Sequence, residues 1–286
     1  MKLHLEKLSA HIAAEVIDVD LRTPVDDETA MSLRAALYEH AVLLFRNQEI
    51  TDEQQVAFSE NFGPLEMTSP TDPIGDGGPV GVITNLDENG ELIPSQDPRA
   101  LYLVGNSLWH SDGSFKKIPL RASLLAAKVV SPEGGNTEFA SLQAPYEALP
   151  AEKRELLENL VAAHSLAHSR DQIAQDLVSD KWQAEIPPTP QKMVRIIPET
   201  GKKVLLVGSY TTHVVGWPLE KGKVLLKELY DWCTKPQFVY SHHWHANDLI
   251  IYDNRLCLHR ARPWEMDRYK RVLHRTTIAG DGPTLS

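Results

Sequence analysis

The chain has 286 residues, 42% hydrophobic and 24% charged, enough to bury a substantial core in one elaborated domain spanning 1–286. Its net charge of −10 argues against nucleic acid as a partner, because phosphate binding needs clustered Lys and Arg, although a cleft lined by a few arginines can still hold a small anion. Only Cys233 and Cys257 are present, so no disulfide framework is implied and a reduced cytoplasm is the expected compartment.

Charges scattered through Met1–Lys7 predict neither a signal peptide nor a membrane anchor, and no stretch approaches the ~20 apolar residues needed to span a bilayer. Asp26–His40 is predicted to be a helix opening with acids that suit its N-terminal dipole. Ala41–Phe45 follows as a buried strand. Thr51–Phe62 reads as a second helix, capped by Thr51 and stopped by Gly63-Pro64. The run from Ser69 to Gly81 is rich in Pro, Gly and Asp and is expected to be a loop acting as a lid over a site. Leu108–Phe115 is predicted to be a strand ended by Gly113, and Ala122–Val130 another. The turn Ser131–Gly135 delivers Thr137, and helices follow over Ala144–Leu149 and about Ala151–Ala162, separated by Pro150. Segment 171–192, with Trp182 and Pro187-Pro188-Thr189-Pro190, is an irregular excursion expected at a pocket mouth or a subunit contact. Val194–Ile197 and Val204–Val207 form a hairpin about Gly201-Lys202. Glu220–Cys233 is an amphipathic helix. Leu249–Asp253 is an apolar strand, broken at Asp253-Asn254 and resumed through Leu256 and Leu258 to His259. The pattern alone gives a mixed α/β chain.

Three side chains in this order suggest metal chemistry. Residues i and i+2 of a strand share a face, so His110 and Asp112 can converge while Ser111 points away. If the strand carrying His259 lies beside them, two imidazoles and one carboxylate bind one face of a metal, leaving positions open for a co-substrate and dioxygen. The other histidines fit less well. His164 and His168 lack a matching acid, and His242, His243 and His245 alternate along the chain and cannot all face one point. Cys257 lies two residues from His259 but has apolar neighbours, so a buried thiol is expected there. Arg271 and Arg275 flank Val272-Leu273 and precede the β-prone Thr276-Thr277-Ile278. Strand spacing puts both on one face, where their planar donor forks could reach one cavity and grip carboxylates.

Taken in order, Trp109-His-Ser-Asp112, Gly134-Gly-Asn-Thr137, Trp244-x-x-x-Asp248-Leu-Ile-Ile-Tyr-Asp-Asn-Arg255, His259 and Arg271-x-x-x-Arg275 resemble the taurine/2,4-dichlorophenoxyacetate dioxygenase family of Fe(II)/2-oxoglutarate enzymes. The likeness runs from about Ala41 to the last strand. Val104–Asp112, Gln54–Glu66 and Val239–Trp244 look most like its 2,4-dichlorophenoxyacetate branch. The resemblance implies a double-stranded β-helix, or jelly roll, with flanking helices. It implies Fe(II) bound by His110, Asp112 and His259, 2-oxoglutarate held by Thr137 and Arg271, and O2 as oxidant. Arg275, Asn106 and His213 fall where family members contact substrate, Arg275 gripping either 2-oxoglutarate or the substrate anion. The loop Pro263–Tyr269 is longer than in the taurine-type pattern, so Arg268 and Lys270 compete with Arg271 for its role.

For an aryloxyalkanoate such as 2,4-dichlorophenoxyacetate, hydroxylation beside the ether oxygen gives a phenol and glyoxylate, with succinate and CO2 as co-products. The same chemistry on taurine, another sulfonate, a sulfate ester or another small carboxylate is the nearest alternative. A cupin-like metal protein without oxygenase activity is the alternative from a different class. A small anionic organic substrate is the expected partner, with neither nucleic acid nor membrane, and a homo-oligomer is expected.

Overall fold

The computed structural model describes residues 3–69, 75–174, 177, 178, 184 and 186–285. Trp182 and part of the expected lid, 70–74, lie outside them.

The largest sheet has seven strands in the spatial order β1 (Leu5–Lys7), β2 (Ala14–Val16), β3 (Val42–Phe45), β13 (Leu249–Asp253), β5 (Ala122–Val129), β15 (Val272–Ile278) and β4 (Gly81–Thr84). A three-stranded sheet has the order β12 (Val239–His242), β6 (Thr137–Ser141) and β14 (Cys257–Ala261). β11 (Thr211–Val214), β7 (Val161–His164) and β8 (Thr189–Lys192) make another, and β9 (Val194–Ile196) pairs with β10 (Lys203–Leu205). Seven helices accompany them among the described residues: α1 (Asp27–His40), α2 (Asp52–Glu60), α3 (Pro98–Val104), α4 (Gln143–Glu147), α5 (Ala151–Glu158), α6 (Leu166–Asp171) and α7 (Leu219–Cys233).

Strand alternation sets the layers. Every residue of β13 is buried, because the strand is flanked by β3 and β5 and covered on both faces. Leu249 and Ile251 of β13, with Leu124 and Ala126 of β5, pack on Leu33, Leu37, Phe58 and Phe62 of the first two helical segments. Ile250 and Tyr252, with Leu125 and Ala127, turn the other way, toward Phe139, Cys257 and Leu258 of the three-stranded sheet. Helices therefore cover one face of the large sheet while the small sheet faces the other. The two helices begin as their sequences predict. Asp26 accepts the Thr29 N–H at the start of α1, and Thr51 and Gln54 form a reciprocal capping box at α2.

Three predictions differ: within the segment 171–192, expected to be irregular, Thr189–Lys192 forms β8 on β7, and two predicted elements change. No strand forms over 108–115: His110 makes a single bridge to His259, and Asp112 already lies in a turn. The helix expected to reach Ala162 stops at Glu158, because Val161–His164 pairs on both sides as β7. That apolar run satisfies either periodicity, and the neighbouring strands decide it.

Candidate active site

His110 and His259 are joined through their backbones. The His110 N–H donates to the His259 carbonyl at 3.0 Å and the His259 N–H to the His110 carbonyl at 2.8 Å, which holds the ring centroids 4.2 Å apart. β14 brings His259 there from the small sheet. The chain then turns at Gly113, whose φ of +66° suits glycine, and a Cβ at that position would meet Leu120. Asp112 thereby swings back so that its Oδ1 lies 3.6 Å from His110 Nε2 and 3.7 Å from His259 Nε2. One ligand atom from each of the three buried residues lies within 4.8 Å of the others. The predicted convergence is present, although a turn and not strand alternation produces it.

The surrounding hydrogen bonds suit a cation at this point. His110 Nδ1 sits 2.7 Å from the Leu108 carbonyl, which assigns the ring proton to Nδ1 and leaves the Nε2 lone pair facing the cluster. Asp112 Oδ2 accepts from Ser123 Oγ at 2.8 Å and from Tyr252 Oη at 3.0 Å, so Oδ1 is the oxygen left for a ligand role. Asn254 takes the Asp112 N–H on its Oδ1 and donates from Nδ2 to Ser123 Oγ, while Ser111 Oγ donates to the Asn254 carbonyl. Buried His259 Nδ1 has no partner among the described residues.

Electrostatics selects the ligating protonation states. Burial, reinforced by the neighbouring His259, pushes His110 down to about 3, and burial lowers His259 as well. Burial alone would raise Asp112, but the charges of His259, Arg275 and His110 outweigh it and hold the carboxyl below the usual range. Burial and then Asp112 push the Tyr252 phenol well up, keeping it protonated as a donor. Near neutral pH the cluster is two neutral imidazoles and a carboxylate, as metal binding requires.

A second group of residues suits an organic carboxylate. Arg271 is buried and donates from Nη2 to the Gly135 carbonyl, and its guanidinium carbon lies 5.0 Å from the centre of the Trp264 ring. It forms no ion pair among the described residues, and burial lowers it to about 10. Trp264 Nε1 is buried and has no hydrogen-bond partner among the described residues. Thr137 Oγ1 accepts from Trp244 Nε1 at 2.9 Å, leaving its hydroxyl proton to be donated elsewhere. A buried cation without an ion pair, beside a buried indole N–H without an acceptor among the described residues, suits an organic carboxylate. The competing cations are engaged elsewhere: Arg268 pairs with Glu265, and Lys270 donates to the Gly90 carbonyl.

Arg271 and Arg275 have different immediate neighbours. Arg271 precedes β15, whose pairing is irregular between Val272 and Leu273, and it faces Gly135 and Trp264. Arg275 approaches Asp112, with Nη1 3.9 Å from Oδ1. It lines a cavity of about 90 Å³ with Asp112, Asn106, Arg170, Phe115 and Tyr210. Arg170 Nη2 donates to Asn106 Oδ1 at 3.3 Å, and its guanidinium lies so close to Gly105 that a Cβ there would collide with it. His213 stands on β11 with Nδ1 2.9 Å from Thr212 Oγ1 and does not line this cavity.

His164 ends β7 and His168 lies in α6, where a strand was expected to begin. His242 hydrogen-bonds Asp248, His243 lies beside Asn136, and Cys257 is a buried thiol outside the metal cluster. Sequence reasoning assigned no role to Ser123, Tyr252, Asn254, Arg170 or Trp264. Tyr252 and Asn254 stand inside the quoted Trp244–Arg255 motif and could have been singled out. Ser123 and Arg170 carry no local signal, because their partners are distant in sequence.

Residues 4–277 match the profile of the "Taurine catabolism dioxygenase TauD, TfdA family". The chain is 34% identical to an alpha-ketoglutarate-dependent 2,4-dichlorophenoxyacetate dioxygenase of Cupriavidus pinatubonensis, over 93% of this chain and 94% of that one. It is 34% identical to an (S)-phenoxypropionate/alpha-ketoglutarate-dioxygenase of Sphingobium herbicidovorans, over 96% and 94%. Among solved structures, AAD-2 in complex with Mn(II) and N-oxalylglycine superposes with a TM-score of 0.92 at 37% identity, covering all of both chains.

Proposed function

Because this chain belongs to the taurine catabolism dioxygenase TauD, TfdA family, we propose that it hydroxylates a small anionic aryloxyalkanoate and so cleaves its ether link. The reaction class is that of the family: a dioxygenase dependent on Fe(II), 2-oxoglutarate and O2. The observation that carries the reading is the convergence of His110, Asp112 and His259, in a chain that also buries an arginine with no ion pair among the described residues. The seven- and three-stranded sheets facing each other across Tyr252 and Phe139 support a double-stranded β-helix. Buried contacts running from Ile12 to Leu273 support one domain over 1–286. The free thiols of Cys233 and Cys257 are in keeping with a reduced cytoplasm.

His110, Asp112 and His259 hold the metal, with Ser123 and Tyr252 fixing which Asp112 oxygen faces it. Bound there, Fe(II) with 2-oxoglutarate and O2 supplies the oxidation that places one oxygen on a substrate C–H and yields succinate and CO2. Arg271 pairs with the far carboxylate of 2-oxoglutarate, and Thr137 donates its hydroxyl proton to the same group. Arg275 faces the metal side of the site and, with Arg170 and Asn106, anchors the substrate anion. Phe115, Tyr210 and Leu166 give that cavity apolar walls, on which an aromatic ring packs and from which it displaces water. His213, outside the cavity, acts on substrate only through β11.

The cavity is small and rich in cations, including Lys116 at its wall, which favours a compact sulfonate or sulfate ester as the second reading. Incubation with Fe(II), 2-oxoglutarate and O2 separates the two. Succinate matched by phenol from a phenoxyacetate supports the aryloxyalkanoate. Succinate only with taurine or an alkyl sulfate moves the chain to the second reading, and no 2-oxoglutarate binding rejects both.

A further inference from the structure

Behind the hairpin of β9 and β10 lies a second cavity of about 480 Å³, within the ~300–1,000 Å³ typical of small-molecule sites. Its walls carry Lys192, Arg195, Lys203 and Arg255 against Glu158 and Asp281. In a chain of net charge −10, a cavity with this excess of cations requires explanation.

The charges are not equally free. Arg255 is saturated by Asp253, Glu199 and Asp281, at 2.7, 3.0 and 3.1 Å. Lys203 donates to Glu158, which also accepts from Tyr146. The side chains of Lys192 and Arg195 have neither an ion pair nor a hydrogen bond among the described residues. Arg195 is half-buried on β9, and its pKa is lowered to about 10 by burial and by the charge of Arg255, which Asp253 and Asp281 oppose without cancelling. A half-buried guanidinium held near another arginine, with Asp253 and Asp281 in its field but neither in an ion pair with it, costs folding free energy. A bound oxyanion offsets that cost, since the planar fork matches phosphate or carboxylate.

We propose that this cavity is a binding site for a small oxyanion of the phosphate or carboxylate class, held by Arg195 and Lys192 and separate from the His110–Asp112–His259 centre. Arg195 supplies the directional contact from within the wall, and the exposed Lys192 supplies mobile charge at the rim. Arg255 and Lys203 add field but no free donor fork, because their own acids occupy them.

Calorimetric titration of the full chain with inorganic phosphate and, separately, with citrate at low ionic strength tests the site. Saturable binding of at least one of the two is expected. Arg195→Gln should weaken it about tenfold or more, the loss expected for a charge-assisted contact. Lys192→Gln should weaken it less, and the Arg195-dependent binding should persist in Arg271→Gln, which removes the proposed 2-oxoglutarate pocket as a competing carboxylate site. Citrate in place of phosphate identifies the carboxylate class. Arg195→Gln should melt at or above the temperature of the unaltered chain in anion-free buffer, because it removes a charge without an acid partner. Binding of neither anion, equal binding by Arg195→Gln and Lys192→Gln and the unaltered chain, or loss in Arg271→Gln alone overturns the proposal.

Discussion

Arg271 and Trp264 form the part of the site whose chemistry is least satisfied by the protein itself. One is a buried cation with a carbonyl as its hydrogen-bond partner, the other a buried indole N–H without an acceptor. Each should therefore show in ligand affinity. With N-oxalylglycine as probe, Arg271→Gln should weaken binding by about 2 kcal/mol or more, the range for a charged hydrogen-bonded pair. Trp264→Phe, which keeps the ring beneath Arg271 and deletes the N–H, should cost about 1 kcal/mol. Equilibrium titration measures both, and an unchanged affinity in Trp264→Phe would show that the indole N–H points away from the ligand. At this scale the convergence of His110, Asp112 and His259 was legible, because their residue types and order carry the chemistry. Ser123 and Arg170 were not, since a hydroxyl and a guanidinium acquire those surroundings only when distant segments meet.

β5 and β13 carry the alternation that joins helices to one face of the large sheet and the active site to the other. Leu124 is fully buried on the helix side with Phe58 and Phe62, whereas its neighbour Leu125 belongs to the cluster around Tyr252. Leu124→Ala should lower unfolding free energy by about 2–5 kcal/mol, through lost transfer energy and the cavity left behind. Metal affinity in the folded protein should be retained, because the truncation lies on the far face. Chemical denaturation with a parallel Mn(II) titration checks it, and equal loss of both would show that the two faces do not behave separately. The apolar strands 42–45, 122–129 and 249–253 and the capped helices were readable because each satisfies its period and termini locally. The segment around His110 was misread as a strand because alternation accounts for the spacing equally well. What fixes the turn is the set of hydrogen bonds that Asn254 makes to Ser111, Asp112 and Ser123, and no local rule reveals it.

For the whole molecule, the buried histidines dictate how stability responds to acid. His164 is fully enclosed at the end of β7, with Nδ1 3.1 Å from Ser114 Oγ and Nε2 without a partner among the described residues, and burial lowers it to about 3 from the ordinary 6.5. The unfolded chain takes up a proton below 6.5 that the folded chain refuses down to about 3, so this contribution is intact above 6.5 and is lost as the pH falls through that window. The slope approaches about 1.4 kcal/mol per pH unit for one such group. His164→Asn, which keeps a polar atom toward Ser114, should flatten the fall in unfolding free energy between pH 6 and 4 measured by urea denaturation. An unchanged slope would mean that His164 is reached by protons without unfolding. The family and reaction class were legible at this scale from ordered motifs. The second cavity was not, since Lys192, Arg195 and the residues near Asp281 come together only through the fold.

The backbone bridge between His110 and His259 also has a consequence for the chain as a polymer. It ties together two positions about 150 residues apart, and a cation bound by both side chains would act as a removable clasp on that loop. Where the metal binds the folded chain alone, its affinity adds to the free energy of keeping the loop closed. Mn(II) should accordingly raise the melting temperature in proportion to the logarithm of its concentration, and His110→Ala should abolish the rise. If so, scarcity of the metal would appear first as a shorter lifetime of the folded chain, before any question of which molecule it oxidises.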